Sequence, residues 1–238
     1  MKKLKSLMVL ALMLFVSGKM MGQGTFFIGG TFPMQEFGNY DNSEFALSTS
    51  GDNAGAGIGF NAGIKWYFNV GVKGLNVLLS VDGIYNGMNT GTREFYKERK
   101  EVLDRIGSNV EMTTPKYINV PAMVGLNYTY YFNPNFGIYA EAGAGGNARF
   151  ITNYTEGYTL LNQKHNATVK YETAFSFAWQ AGIGIEVAQS LVIGCSYYDL
   201  GKANVIANKT GEVLTTPMPA DGACIHPSMF LARIGFCF

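Results

Sequence analysis

The chain has 238 residues and a mass of 26.0 kDa; 47% of its residues are apolar and 15% charged, with 30 Gly, 17 Phe, 14 Tyr and only 7 Pro. A charged content well below the ~25% of an ordinary soluble domain, and no apolar run long enough for a spanning helix beyond the first 22 positions, exclude disorder and a helical membrane bundle and point to a single domain. The formal net charge of +1 provides no basic field for nucleic acid, so no nucleic-acid partner is expected.

Residues 1–22 place Lys2, Lys3 and Lys5 ahead of the apolar run Leu7 to Val16, followed by the small residues Ser17, Gly18 and Gly22, the layout of a secretory signal peptide. Cleavage is expected after Gly22 or after Gly18. Removing 1–22 also removes Lys19, leaving 18 − 4 = 14 basic residues against 17 acidic ones, a net charge of −3. The remaining domain is then 23–238.

Strands are predicted near 24–34, 56–68, 75–87, 116–132, 136–150, 172–188, 190–200 and 227–238, because apolar residues alternate there with small or polar ones at the period of two that puts one set on each face. In 175–187, Phe175, Phe177, Trp179, Ala181, Ile183, Ile185 and Val187 share one face, opposite Ser176, Gln180, Gly182 and Glu186. In 118–132, Val120, Val124, Leu126, Tyr128, Tyr130 and Phe132 oppose Asn119, Pro121, Met123 and Asn127. Long connections at 35–55, 88–115, 151–171 and 201–226 alternate with short ones at 69–74, 133–135 and 188–190. That asymmetry, with strands of at least the ~9–11 residues a tilted crossing needs, predicts an eight-stranded antiparallel up-and-down transmembrane β-barrel with short periplasmic turns and four long extracellular loops.

The loop Gly91 to Gly107 carries nine charges of mixed sign at spacings that permit i,i+4 pairs, and so a short surface helix. On the strands, charge falls on one face only: Lys65, Asp82, Glu141, Arg149, Glu186 and Arg233, three of each sign. A closed eight-stranded barrel is just wide enough to be filled by side chains, and charges inside it must be paired. The expectation is one barrel-interior charge network that plugs the lumen, favoured over a narrow conduit. Glycines on the same face, among them Gly63, Gly143, Gly182 and Gly235, leave room for long inward side chains. Trp66, Phe68, Tyr128, Tyr130, Phe132, Phe136 and Phe175 near strand ends suit two interfacial girdles.

Cys195, Cys224 and Cys237 form no C-x-x-C and no His stands at ligand spacing, so no metal or other cofactor is expected and at most one disulfide. His226-Pro227-Ser228 has an H-x-S spacing that resembles the lipid A deacylase arrangement; Asp221 or Asp199 is the candidate acid, and Pro227 interrupts the pattern. A polar strand start is the favoured reading of that tripeptide, and His165 reads as solvated surface. No catalytic residue is assigned.

The ending Phe230-Leu-Ala-Arg-Ile-Gly-Phe-Cys-Phe238 resembles the C-terminal signal by which the barrel-assembly machinery recognises outer-membrane barrels, carried by Ile234, Phe236 and Phe238. Tyr117-Ile-Asn-Val-Pro-Ala-Met-Val-Gly-Leu-Asn-Tyr, then Tyr130-Tyr-Phe-Asn-Pro-Asn-Phe and Tyr139-Ala-Glu-Ala-Gly-Ala-Gly, resemble the small porin-like, PorT-like outer-membrane β-barrel family of Bacteroidota over 23–238. The resemblance implies an outer-membrane location, lipid and the assembly machinery as partners, and loops that meet an unidentified ligand or protein; it implies no activity. Two alternatives stand beside this non-enzymatic reading. One is a lipid A-modifying enzyme using His226 and Ser228. The other is a secreted lipocalin-like barrel, which would turn its apolar face inward around an apolar ligand.

Overall fold

The computed structural model describes residues 22–38, 54–212 and 221–238, so the signal segment expected over 1–22 lies outside the described residues except for Gly22. Eight long strands close on themselves: β1 (Gly22–Met34), β2 (Ala56–Asn69), β3 (Leu75–Met88), β5 (Tyr117–Asn133), β6 (Phe136–Ile151), β9 (Ala174–Val187), β10 (Leu191–Asp199) and β14 (Ser228–Cys237). Around the barrel they run β1-β14-β10-β9-β6-β5-β3-β2, and β2 pairs back onto β1. Every contact between neighbours is antiparallel, from Thr25↔Cys237 through Glu141↔Gly182 to Lys65↔Ser80. Closure leaves no unpaired sheet edge. It is completed by the last residue, whose N–H donates to Gly24 O at 2.9 Å while Gly24 N–H donates back at 3.2 Å.

The solvent exposure of the two alternating faces decides which of them is inside. Outward residues of β9 are strongly exposed, Phe175 at 76% and Phe177 at 68%, whereas inward Gln180 is 1% exposed. Ile28, Phe60, Val124, Leu126, Ile183 and Ile193 extend this apolar exterior around the barrel. The inverted arrangement of a lipocalin-like carrier is thereby overturned: the polar face is the inner one. Aromatic rings gather near the strand ends, with Tyr130 stacked edge-on against Phe132 at 5.1 Å, Phe132 5.8 Å from Phe136, and Tyr197 between Trp179 and Phe230 at 5.3 and 5.4 Å.

The long connections carry more regular structure than their polar composition predicts. β4 (Ser108–Met112), β7 (Tyr154–Leu160), β8 (Gln163–Tyr171) and β12 (Ala207–Thr210) build a four-stranded sheet in the order β12-β8-β7-β4, and β11 (Ala203–Asn204) pairs with β13 (Cys224–Ile225). The charged segment forms a 17-residue helix, Thr90–Ile106, started by Asn89, whose Oδ1 accepts from Thr92 N–H at 2.8 Å. Its Tyr96 and Leu103 bury against Tyr154, Val169, Val110 and Tyr158, and its solvent side carries the Lys100–Asp104 pair at 2.9 Å.

Candidate functional site

The charges inside the barrel come from strands that are far apart in sequence and brought to one level by the register. Lys65 from β2 donates to Glu141 Oε1 from β6, with both side chains fully shielded. Arg233 from β14 reaches Asp82 Oδ1 at 3.2 Å, Tyr198 OH at 3.0 Å, Ser196 Oγ at 2.8 Å and Glu141 Oε1 at 3.6 Å. Tyr198 OH donates to Asp82 Oδ2 at 2.7 Å. Two cations therefore meet two carboxylates in a cluster that is neutral in itself, the condition for charge in so low a dielectric. Phe27 supplies one wall, its ring 5.1 Å from Lys65 Nζ and 5.1 Å from Arg233 Cζ.

Inward glycines are the spaces these side chains occupy. A methyl group at Gly63 would meet Asp82 Oδ1, one at Gly182 would meet Ser196 Oγ, and one at Gly235 would come within 2.6 Å of the Phe27 ring. Large and small residues alternate across the lumen, which packs it.

The single six-charge network expected from the sequence is corrected to four members. Glu186 is buried at the short-turn end, where its Oε2 accepts from Tyr131 OH at 3.0 Å. Arg149 is buried at the opposite end, where Nη1 donates to Ile225 O at 2.9 Å and Nη2 to Gly201 O at 3.0 Å. The reason is geometric: sharing a face does not mean sharing a depth, and Arg149↔Ala174 and Glu186↔Val192 lie near opposite ends of their strands.

At the loop end an apolar cap fills the mouth: Phe37, Tyr117, Leu200, Val205, Ile225 and Met229 are all buried in one cluster. Tyr117 OH donates to Ala54 O at 2.6 Å. Both amide atoms of Asn61 and of Gln180 are buried without a hydrogen-bond partner, as is the hydroxyl of Ser80, the cross-strand partner of Lys65.

His226 and Asp199 meet at this rim, Nε2 to Oδ1 at 2.7 Å. Ser228 does not join them: it is fully buried and its Oγ donates to Met34 O at 3.3 Å. Asp221 instead accepts from Ala207 N–H at 2.8 Å. His165 lies stacked on Tyr158 with ring centroids 4.9 Å apart. All three cysteines are free thiols, and among the described residues no group of His, Cys, Asp and Glu converges as a metal site. Ile234, Phe236 and Phe238 stand on the outer face, exposed at 46, 54 and 69%. Sequence reasoning missed Tyr198, Ser196 and Phe27; the signal available for Tyr198 was the Tyr197-Tyr198 doublet, of which strand alternation turns one ring inward.

The fold and interior define an eight-stranded antiparallel β-barrel with an apolar exterior and an ion-paired lumen. No protein-family model and no curated protein matches the chain. Among solved structures it is similar to the attachment invasion locus protein Ail of Yersinia pestis, at 16% identity over 91% of this chain and 99% of that one, with a TM-score of 0.41. It is similar to Neisserial surface protein A, at 9% identity over 91% and 95% with a TM-score of 0.43, and to the outer membrane protein OprG of Pseudomonas aeruginosa, at 11% over 91% and 96% with a TM-score of 0.44. None of these likenesses transfers an activity, and none of the comparisons supports the Bacteroidota, PorT-like family expected from the sequence.

Proposed function

We propose that this chain is an integral outer-membrane β-barrel protein without enzymatic activity, exported by its N-terminal segment, closed in its lumen, and acting through its surface connections. The carrying observation is the pairing of an exposed apolar exterior with a buried, charge-balanced interior. A band of large apolar side chains is stable only against lipid or another apolar surface. Four neutralising charges wedged between strands, under an apolar cap, oppose ion passage. Outer-membrane lipid and the barrel-assembly machinery, which would engage Ile234, Phe236 and Phe238, are the proposed partners; the helix and sheet of the connections are the proposed surface for a ligand or protein.

The test is envelope fractionation of the host, followed by gel migration of the outer-membrane fraction with and without boiling, and planar-bilayer recording of the purified barrel. Heat-modifiable migration with negligible conductance is expected. A soluble periplasmic protein, or large steady channels, would overturn the reading.

The His226–Asp199 contact favours one second reading, a lipid A-modifying enzyme, since an oriented imidazole is half of a nucleophile-activating set. Its candidate nucleophile Ser228 is buried and engaged with Met34 O. Mass spectrometry of lipid A from cells with Ser228→Ala tests it: an acylation pattern identical to that of the wild type is expected, and a shifted pattern would establish the enzyme.

A further inference from the structure

We propose that the loop end of the lumen binds a small carboxylate anion between Arg149 Nε and Asn119 Nδ2. Arg149 is 1% exposed, and each of its two Nη nitrogens donates to a carbonyl, of Ile225 and of Gly201, neither of which carries a charge to oppose its own. Its Nε is buried without a partner. No described carboxylate forms an ion pair with it. The central cluster consumes its own two acids on its own two cations, and Glu186 is held at the far end by Tyr131. One positive charge is left over in an apolar cap. Burial of an uncompensated cation is costly by several kcal/mol, whereas a bound anion relieves it.

A second, independent donor without a partner stands on the neighbouring strand, directly across from Arg149. Asn119 is the direct cross-strand partner of Arg149, is itself fully buried, and its Nδ2 has no partner. Its orientation is set by Asn147, whose Nδ2 donates to Asn119 Oδ1 at 3.1 Å, so the unused end of the amide is the donor end. Two unused donor groups on paired residues and one surplus charge match a monoanion with two acceptor oxygens. Tyr117↔Ile151, the next register pair on the same face, and Leu200 and Val205 of the same apolar cluster make the surroundings unfavourable to a dianion such as phosphate and compatible with the carbon end of a carboxylate. Asn147 Oδ1, also buried and unpartnered and two residues before Arg149 on the same strand, is an acceptor that suits a hydroxyl on such a ligand.

The test uses the full chain refolded in detergent and dialysed free of carboxylates, with sodium acetate as probe and sodium chloride at equal ionic strength as control. Carbon-13 acetate is followed by saturation-transfer NMR, and thermal unfolding by gel migration. Expected are a saturable acetate signal and a melting temperature that rises with acetate but not with chloride, as for any ligand that binds only the folded state. Asn119→Asp places a carboxylate of the chain itself opposite Arg149; this variant is expected to melt above wild type without acetate and to lose the acetate response. Lys164→Gln, which removes an exposed cation of the surface sheet, is expected to respond as wild type. Absence of a saturable signal from the wild type would overturn the site whatever the variant's folding, and so would an Asn119→Asp barrel that still responds to acetate.

Discussion

Lys65 and Glu141, 76 residues apart in the chain, form an ion pair across the lumen with no solvent contact at either side chain. Such a pair is weak evidence for stability when replaced whole and strong evidence when broken. Glu141→Gln leaves Lys65 buried with a weakened partner and Arg233 with one acid fewer, and is expected to cost about 3–5 kcal/mol. The double replacement Lys65→Met, Glu141→Leu removes both desolvation costs and is expected to recover most of that loss. Urea unfolding followed by the fluorescence of Trp66 and Trp179, both on barrel strands, reads the difference. Equal destabilisation by the single and double variants would mean that packing, and not charge, holds the centre of the barrel.

Gly63 and Gly87 lie on neighbouring strands and predict opposite outcomes. A methyl at Gly63 drives into Asp82 Oδ1, which is held by Tyr198 and Arg233, whereas a methyl at Gly87 meets nothing within 4 Å. Gly63→Ala is therefore expected to destabilise the barrel by about 1–3 kcal/mol, the usual range for overpacking, and Gly87→Ala to leave it unchanged or slightly more stable. The temperature at which the folded gel band disappears is the readout. A neutral Gly63→Ala would show that Asp82 is not fixed where its partners place it.

The barrel was legible because strand alternation survives in single segments. Trp179, Ala181 and Ile183 against Gln180, Gly182 and Glu186 mark both the strand and its inner face, and the observed β9 lies within the predicted 172–188. Which inner charges meet was not legible, because that depends on the stagger between strands, and no local pattern encodes stagger. Lys65 finds Glu141 three strands away, while Arg149, on the same face of the same strand as Glu141, points to the other end of the lumen. The surface sheet escaped detection for another reason. Tyr154, Glu156 and Tyr158 alternate with Thr155 and Gly157, but the segment is too polar to read as a strand, and its apolar face is completed by Tyr96 and Leu103 of a helix distant in sequence.

Tyr171, at the end of β8 and outside the barrel wall, predicts a pH dependence for the surface sheet. Burial first, and the neighbouring Tyr96 phenol second, push its pKa above the ordinary 10.0. A folded pKa raised above the unfolded one gives stability that is fully present below pH 10 and is lost as pH rises further, because the unfolded chain deprotonates first. Tyr171→Phe is expected to flatten that alkaline loss. Amide exchange in 163–171 across an alkaline series, in wild type and variant, is the measurement; identical profiles would show that the ring is not excluded from water.

Leu161 and Asn162 form the two-residue turn between β7 and β8, with Leu160↔Gln163 as the last register pair and φ of 50° and 62°. Paired positive φ values favour Asn-Gly at such a turn, and a left-handed conformation costs an ordinary L-residue roughly 1–2 kcal/mol. Leu161 is 90% exposed, so its side chain offsets little of that cost through packing. Leu161→Asn with Asn162→Gly is expected to stabilise the hairpin by about 1 kcal/mol and to slow amide exchange in 154–171, while barrel melting stays the same because the hairpin belongs to the separate surface sheet. Leu161→Pro, whose ring fixes φ near −65°, is expected to open the hairpin and speed exchange in the same residues. If neither variant alters exchange there, the hairpin takes its stability from the helix packed over it rather than from its turn.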